Sequence, residues 1–584
     1  MPDRQRTFGQ FTTPLDVADI LLGFCLRRPI DRLLDPGCGS GTLLARAAQW
    51  QDWLTDSPEE IPANSLWGVE LDEETAVHAR AQLPQATILA GNFFTLTPQT
   101  PFDAIIGNPP YTRAEWIERL TTDAAQQLAF TWGNTGEEPH LISPELTAQL
   151  DRRTGLHGYF LLHSVPFLRE GGRLGFIVPN GWLDVVYGAA LKQFLLDHFK
   201  VVAVVESGAE RWFNTAKVNT CLLVLEKCSG PNRRAANVIR LVRLKRPFAA
   251  LLPIPQNDYR RVQVVERLVT RLLTSHDTDN ADFTVRVQSQ SDLAATARWG
   301  MMLRTPAVLR QRNAADLPQL KKWAIIQRGY TTGANNFFYL SAKDVQQWGI
   351  EPQFRHPVLK SLRGIDRLRL SAADCRHEML VIPPAANLQG TAVADYITWG
   401  EAQGVHLRRT CAVRHPWYSL PAQPPAQLVF PKGIWRRHST PLLAEPLPID
   451  QQLYQIRLAV GVPLLAAAAL LNSAWFMLQC ELRGRVNFGA GLLWLARYEL
   501  ADARLPDPRS LPPLQASRMA DLFSALAERP SQPLEIELTQ PDRQALDTAV
   551  FDVLGLGEGE RTAVYTALLD RVQTRRRHAE TPSV

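Results

Sequence analysis

Asn108-Pro109-Pro110-Tyr111 is the segment whose residue types bear most directly on chemistry. A carboxamide oxygen and a proline carbonyl, set side by side on a rigid turn, can both accept hydrogens from one planar NH2 group. Accepting both draws the nitrogen lone pair out of conjugation and aims it at an electrophile. The aromatic residue that follows can stack on the ring bearing that amine. The tetrapeptide comes directly after the apolar run Asp103–Gly107, which reads as a strand, so it falls at a strand's carboxyl end, where doubly wound sheets bind ligands. A dehydrogenase has no use for this arrangement, and the bland alternative is a proline-rich turn.

A second signal lies upstream. Asp35-Pro36-Gly37-Cys38-Gly39-Ser40-Gly41-Thr42 follows a short strand pattern and opens a helical one. Glycines at 37, 39 and 41 let the backbone turn sharply and approach a ligand with no side chain in the way. Glu70, at the end of the next strand pattern, is a carboxylate suited to ribose hydroxyls. Taken alone, this pairing fits NAD or S-adenosylmethionine equally.

These residues need a scaffold that brings strand ends together. Strand patterns fall at 32–34, 65–71, 87–90, 103–107, 173–178, 201–205 and 220–225, with helical patterns at 42–50, 73–82, 155–169 and 188–198. Alternation of this kind, with near-continuous apolar strands, predicts a doubly wound, mostly parallel α/β sheet of seven strands, the last two forming an antiparallel edge pair. Pro247, Pro253 and Pro255 punctuate a linker, followed by a helical stretch near 264–273. A mixed α+β region rich in Arg, Trp, Pro and Gly runs to about residue 510, and helices are expected at 514–528, 542–554 and 559–577. The expected domains are therefore 1–245, 246–510 and a helical extension, 511–584.

The chain of 584 residues is 45% hydrophobic and 21% charged, which excludes a disordered or collagen-like protein. Seven scattered cysteines, none at zinc-knuckle spacing, suit neither a disulfide framework nor a structural metal, so no metal site is expected. The amino terminus has no apolar signal region, and the longest apolar run, 458–471, has 14 residues where a span needs about 20. A soluble, cytoplasmic protein without membrane contact is expected. Residues 1–240 hold 21 Lys+Arg against 27 Asp+Glu, whereas residues 301–500 hold 23 against 12, and 18 of those 23 are arginine. A basic second half joined to an acidic first half points to a phosphate-backbone partner. Arg328, Arg363, Arg367, Lys432, Arg436, Arg437 and Arg485 are the candidate contacts to phosphates or base edges. Trp417, Tyr418 and Trp435 are expected in the core.

The sequence resembles the gamma-class, TaqI-like DNA adenine-N6 methyltransferases of restriction-modification. The resemblance is closest over residues 8–230 and looser through about 508. Asn108–Tyr111 is identical to the family's catalytic tetrapeptide, and Phe8–Pro14 resembles its amino-terminal motif. The resemblance implies S-adenosylmethionine as cofactor and a Rossmann-like methyltransferase domain followed by a target-recognition domain. It implies Thr13 and Pro14 against the cofactor's methionine part, the Asp35–Gly41 turn around it, and Glu70 on its ribose. Glu210-Arg211-Trp212-Phe213 with Lys217-Val218 resembles the segment whose Phe contacts the extruded base, so Phe213 would pair with Tyr111 around an adenine. Where the family has Asp-Phe after the third strand, this chain has Asn92-Phe93. Asn92 can still accept from the cofactor's adenine amine, and Phe93 would pack on that adenine. Arg328–Phe338, Leu471-Asn472-Ser473 and Arg483–Gly491 resemble target-recognition segments.

The expected substrate is double-stranded DNA, methylated at the N6 amine of an adenine. The competing readings are RNA adenine methylation, protein-glutamine methylation, which also uses an Asn-Pro-Pro-Tyr turn, and a catalytically silent DNA-binding subunit. The cofactor motif begins near residue 8, so no fused amino-terminal nuclease is expected. A separate restriction endonuclease or defence-system subunit is a candidate partner.

Overall fold

Strand β1 (Leu33–Asp35) is buried at every position because parallel neighbours flank it on both sides, β2 (Leu66–Glu70) and β4 (Phe102–Gly107). That is the environment its unbroken apolar character calls for. β3 (Thr87–Ala90) adds to β2, and β5 (Leu168–Pro179) adds to β4, both parallel. Next to β5 comes β7 (Thr220–Lys227), antiparallel to both its neighbours, β5 and β6 (Phe199–Ser207). The order 3-2-1-4-5-7-6 contains all seven expected strands. The computed structural model describes residues 11–55, 57, 60–111, 154–185, 188–213, 219–306, 309, 316–486 and 491–580. Phe8, Gly9, Gln10, Lys217, Val218 and 487–490, named among the family-like motifs, lie outside that set.

The sheet does not stop at seven strands. β8 (Val238–Leu244) pairs parallel with β6, β10 (Phe283–Ser289) runs antiparallel along all seven residues of β8, and β9 (Thr278–Asp279) closes the order. The β6–β7 pair is therefore interior, not the expected edge. Among the helices, α1 (Leu15–Cys25) packs against β5 and against α6 (Arg260–Thr274), α2 (Thr42–Leu54) follows β1, and α3 (Glu73–Gln82) follows β2. α4 (Leu156–Ser164) precedes β5, and α5 (Ala189–His198) precedes β6. The chain forms two compact units, one through Arg304 and the other Thr305–Glu580. Residues 246–304, read from the sequence as the start of the basic domain, thus complete the first unit, because β10 needs β8 and α6 buries its apolar face.

The second unit holds a five-stranded sheet. It is built from β11 (Ala324–Arg328), β14 (Arg369–Leu370), β16 (Leu428–Pro431), β18 (Leu442–Leu443) and β19 (Leu453–Leu458), in the order 11-19-16-18-14. β12 (Tyr339–Leu340), β13 (Arg355–Val358) and β15 (His377–Leu380) form a smaller sheet, and β17 (Gly433–Ile434) pairs with β20 (Leu493–Trp494). The apolar run read at 458–471 contributes the helix Leu464–Leu470, which with Ala474–Arg483 lies inside this core. Among the described residues no single helix is long and apolar enough to cross a membrane. The tail forms helices Pro513–Leu526, Pro541–Leu554 and Glu558–Glu580, whose Phe523, Val550, Phe551 and Leu568 share one core with Ile326, Phe430, Ile456 and Trp475.

Candidate active site

The parallel pairing of β1 with β2 and β4 brings both sequence signals to one edge. A Cβ placed on Gly107, the last residue of β4, would lie 3.3 Å from Asp35 Oδ1 at the end of β1. The glycine turn and the Asn-Pro-Pro-Tyr turn are therefore neighbours.

Gly39 and Gly41 take φ of +54° and +86°, the left-handed region where a side chain is strained. A Cβ on Gly41 would approach Leu83 Cδ1 at 2.6 Å, whereas nothing stands within 4 Å of one on Gly39. The turn thus packs tightly on one side and opens on the other. Glu70 is buried at the end of β2, where one carboxylate oxygen accepts from Gly39 N at 2.9 Å and the other from Asp72 N at 2.9 Å. These bonds aim the carboxylate. Burial pushes the Asp35 carboxyl up to about 7; the Gly37 N–H opposes that shift and the Glu70 charge adds to it. Two neighbouring buried carboxyls suit a ligand carrying positive charge. Gly37 faces the Phe160 ring.

Asn92 Oδ1 accepts from Phe94 N at 3.1 Å, capping a short turn. Phe93 departs from expectation. Its ring is buried against Phe160, Phe167 and His163, at centroid distances of 5.6, 5.1 and 4.7 Å, and belongs to the core beneath the turn. The residue type was readable, but β3 is too short a guide to the direction of the ring.

Asn108 is half-buried at the end of β4. Its Nδ2 donates to the Phe11 carbonyl at 3.0 Å and to Thr13 Oγ1 at 3.3 Å. A backbone carbonyl only accepts, so this contact fixes which end of the amide is nitrogen and turns Oδ1 the other way. There Oδ1 accepts from the Tyr111 hydroxyl. Thr13, expected on the cofactor, is buried and bonded to Asn108; Pro14 caps α1. Pro109 is buried and Pro110 half-buried.

Phe213 meets Tyr111 edge-on at 6.0 Å, and Phe11, which sequence reasoning left without a role, stacks on Tyr111 at 5.6 Å and touches Phe213 at 6.1 Å. Two parallel rings holding a base between them stand about 7 Å apart, twice a stacking contact. The three rings here close on one another instead, and Phe11 occupies part of the space an extruded base would need. Its place in the Phe8–Pro14 motif was the available signal.

In the second unit Arg328, Arg363, Arg367 and Arg436 are exposed, and Arg437 is half-buried. Lys432 is buried beside the Tyr454 ring, with Nζ 5.3 Å from its centroid. Arg485 is already engaged by Glu499 at 2.9 Å and by the Tyr498 hydroxyl. Trp435, expected in the core, is 54% exposed, with the Arg436 guanidinium 4.8 Å over its ring. The strand before it ends at Ile434, so Trp435 falls outside the pairing that buries its neighbours. The Leu471-Asn472-Ser473 motif is structural. Asn472 is buried and joins Thr440 to Ala468 through its amide, and Ser473 caps the helix that follows.

Residues 2–245 match the N-6 DNA Methylase family, and residues 304–529 match the C-terminal domain of the Type II methyltransferase M.Eco57I. The Type II methyltransferase M.AccI of Acinetobacter calcoaceticus is 22% identical over 440 residues, covering 73% of this chain and 71% of its own. M.XamI of Xanthomonas campestris pv. amaranthicola is 23% identical over 414 residues, covering 68% of this chain and 66% of its own. The structure of the Type IIL restriction-modification enzyme MmeI in complex with DNA superposes with a TM-score of 0.52 at 13% identity. That superposition covers 96% of this chain and 75% of the other, a likeness of fold.

Proposed function

The chain belongs to the N6-adenine DNA methyltransferases of restriction-modification, with S-adenosylmethionine as methyl donor, and on that premise we propose a gamma-class enzyme that acts on an adenine extruded from duplex DNA. The observation that carries the reading is the fixed Asn108 amide. Its nitrogen is held by the Phe11 carbonyl and Thr13, and its oxygen is turned toward a donor.

The residues present fit the cofactor. Glu70 is aimed by two backbone N–H groups, the glycine turn opens beyond Gly39, and the Asp35–Glu70 pair suits a cation. Asp35, Gly37, Gly39, Gly41, Glu70 and Asn92 are the residues that would hold it, with Thr13 and Pro14 at its methionine end. When bound it supplies an electrophilic methyl group on sulfur.

The chain's own residues do the rest. Extruding a base costs a few kcal/mol of stacking and pairing, and a base that displaces Phe11 from between Tyr111 and Phe213 and stacks on them recovers about 1–3 kcal/mol per ring. Asn108 Oδ1 and the Pro109 carbonyl each accept one amine hydrogen, which frees the nitrogen lone pair and holds it in line. No strong base is required, since the nitrogen can lose its proton after it has gained the methyl. Most of the rate gain comes from orientation, which can contribute about 7–11 kcal/mol. In the second unit Arg328, Lys432, Arg363, Arg367, Arg436 and Arg437 remain candidate DNA contacts. A cognate restriction endonuclease on a separate chain is the natural partner for such an enzyme.

The test is methyl transfer from labelled S-adenosylmethionine to unmethylated genomic DNA, followed by sequencing that detects modified adenines. Asn108→Ala should lower turnover by roughly 10²-fold or more while leaving cofactor affinity in place. Loss of cofactor binding in that variant would refute the role given to Asn108.

A further inference from the structure

Strand register in the second unit brings three cations from distant parts of the sequence to one place. β11 pairs with β19 so that Arg328 faces Tyr454, and β16 pairs with β19 so that Pro431 faces Leu453. Lys432, the next residue, hydrogen-bonds through its N–H to the Gln452 carbonyl. Its own carbonyl accepts from Leu495 N, which sets the chain leading to Arg497 beside it. Arg328, Lys432 and Arg497 thus gather around the Tyr454 ring. Against them lies a cavity of about 490 Å³ lined by Gln327, Arg328, Tyr330, Thr331, Gln423 and Arg497, among others.

Several other arginines of this unit are neutralised by carboxylates. Arg355 pairs with Glu378, Arg485 with Glu499, Arg529 with Glu537 and Asp542, and Arg575 with Glu481. Among the described residues, Arg328, Lys432 and Arg497 make no ion pair and no side-chain hydrogen bond. Asp450, the carboxylate near Lys432, already accepts from the Tyr339 hydroxyl and from Gln452 N. Burial, with the Arg328 charge adding to it, brings Lys432 down to about 8. Like charges held together repel, the Asp450 charge offsets only part of the shift at Lys432, and a buried ammonium is costly. The arrangement makes sense when an anion completes it.

The shape chooses among anions. Base edges in a groove are read by side chains that protrude into it, whereas this is a recess. The two arginines at its wall and the carboxamides of Gln327 and Gln423 beside them suit a compact group with several acceptor oxygens. We infer that this cleft clamps a backbone phosphate of the DNA substrate, with Arg328 and Arg497 as the contacts and the charge of nearby Lys432 adding to theirs. This rests on the DNA-methyltransferase reading and adds to it a site that fixes register without reading sequence. Arg497 was not among the contacts expected from the sequence, and Arg485, which was, is engaged elsewhere.

The experiment uses the full chain and the variants Arg328→Gln, Arg497→Gln and their double. Both side chains are exposed, so folding should be preserved. Binding of a short mixed-sequence duplex is measured by anisotropy between roughly 50 and 200 mM KCl, together with S-adenosylmethionine affinity. Each single variant should bind DNA several-fold more weakly, with the slope of log affinity against log salt reduced by about 0.9 per lost contact. Arg497→Lys should recover most of the loss, and the methylated sequence should stay the same. An unchanged salt slope would overturn the inference, and so would a relaxed methylation sequence, which would mean that the cleft meets a base edge. If the unmodified chain binds cofactor but no duplex at all, the DNA-methyltransferase reading fails instead, which keeps the two failures apart.

Discussion

Asn108 is a catalytic candidate because of its neighbours as much as its own chemistry. An unrestrained carboxamide could present NH2 to the incoming amine, which would repel it. The Phe11 carbonyl and Thr13 Oγ1 remove that freedom. Thr13→Val keeps the shape and deletes the acceptor, so kcat should fall roughly 10–100-fold with a smaller rise in the KM for S-adenosylmethionine, and Thr13→Ser should restore most of the rate. A raised cofactor KM at constant kcat would make Thr13 a cofactor contact only. At this scale the sequence was most legible where function needs a rare string. Asn-Pro-Pro-Tyr after an apolar strand admits few other purposes, and Gly39 and Gly41 announced their left-handed backbone. Ring direction and charge pairing were not legible. Nothing near Phe93 in the sequence says that Phe160 and Phe167 will enclose it. Nothing near Arg485 says that Glu499 will take its charge.

Helix α1 carries the Thr13-Pro14 entry to the site, and a buried ion cluster holds it. Asp19 is fully buried and accepts from Arg46 of α2, from Arg261 of α6 and from Trp50 Nε1 at 2.9 Å. Asp16, one turn earlier, also pairs with Arg261. Three helices from distant parts of the chain are thus tied at one carboxylate. Asp19→Ala leaves the buried Arg46 without a carboxylate and Arg261 with Asp16 alone, and should destabilise the first unit by about 3–5 kcal/mol, read as a lower urea midpoint. A loss under about 1 kcal/mol would mean that water reaches the arginines. Strands and helices were read well where periodicity was clean, as for α3, expected and found at 73–82. The error at α4 is instructive: the apolar pattern to 169 continues from helix into β5, which starts at Leu168. An unbroken apolar run does not distinguish the two. β8 to β10 were missed because a proline-marked segment follows β8 and looks like the end of a domain.

In the second unit as a whole, the tail is part of the core, and its removal would be felt in folding before it was felt in DNA binding. The charge balance of 301–500 and the helical periodicity after 510 were both legible. Their dependence on each other was not, because it runs through single long-range contacts. Glu481 is fully buried in the helix Ala474–Arg483, where it meets Arg575 at 2.7 Å and His438 at 2.8 Å. Arg575 also donates to the carbonyls of Trp435 and Gly491, which draws together the segments on either side of β17 and β20. Burial alone would raise the Glu481 carboxyl, but the Arg575 charge and the His438 hydrogen bond outweigh it and hold the group down to about 2. A carboxyl depressed on folding contributes stability that is complete above its unfolded value near 4.5 and is lost as pH falls toward 2. Arg575→Met keeps much of the volume and leaves Glu481 and His438 without the guanidinium. It should destabilise the second unit by about 3–5 kcal/mol at neutral pH, and the acid loss of stability between about pH 4.5 and 2 should shrink, because Glu481 then folds with a higher pKa. Denaturation of the full chain followed at pH 7 and pH 3, with S-adenosylmethionine affinity as a report on the first unit, checks both signs. Arg575→Met that unfolds with unchanged stability at both pH values would show that apolar packing of residues 511–580 holds the tail without this ion cluster.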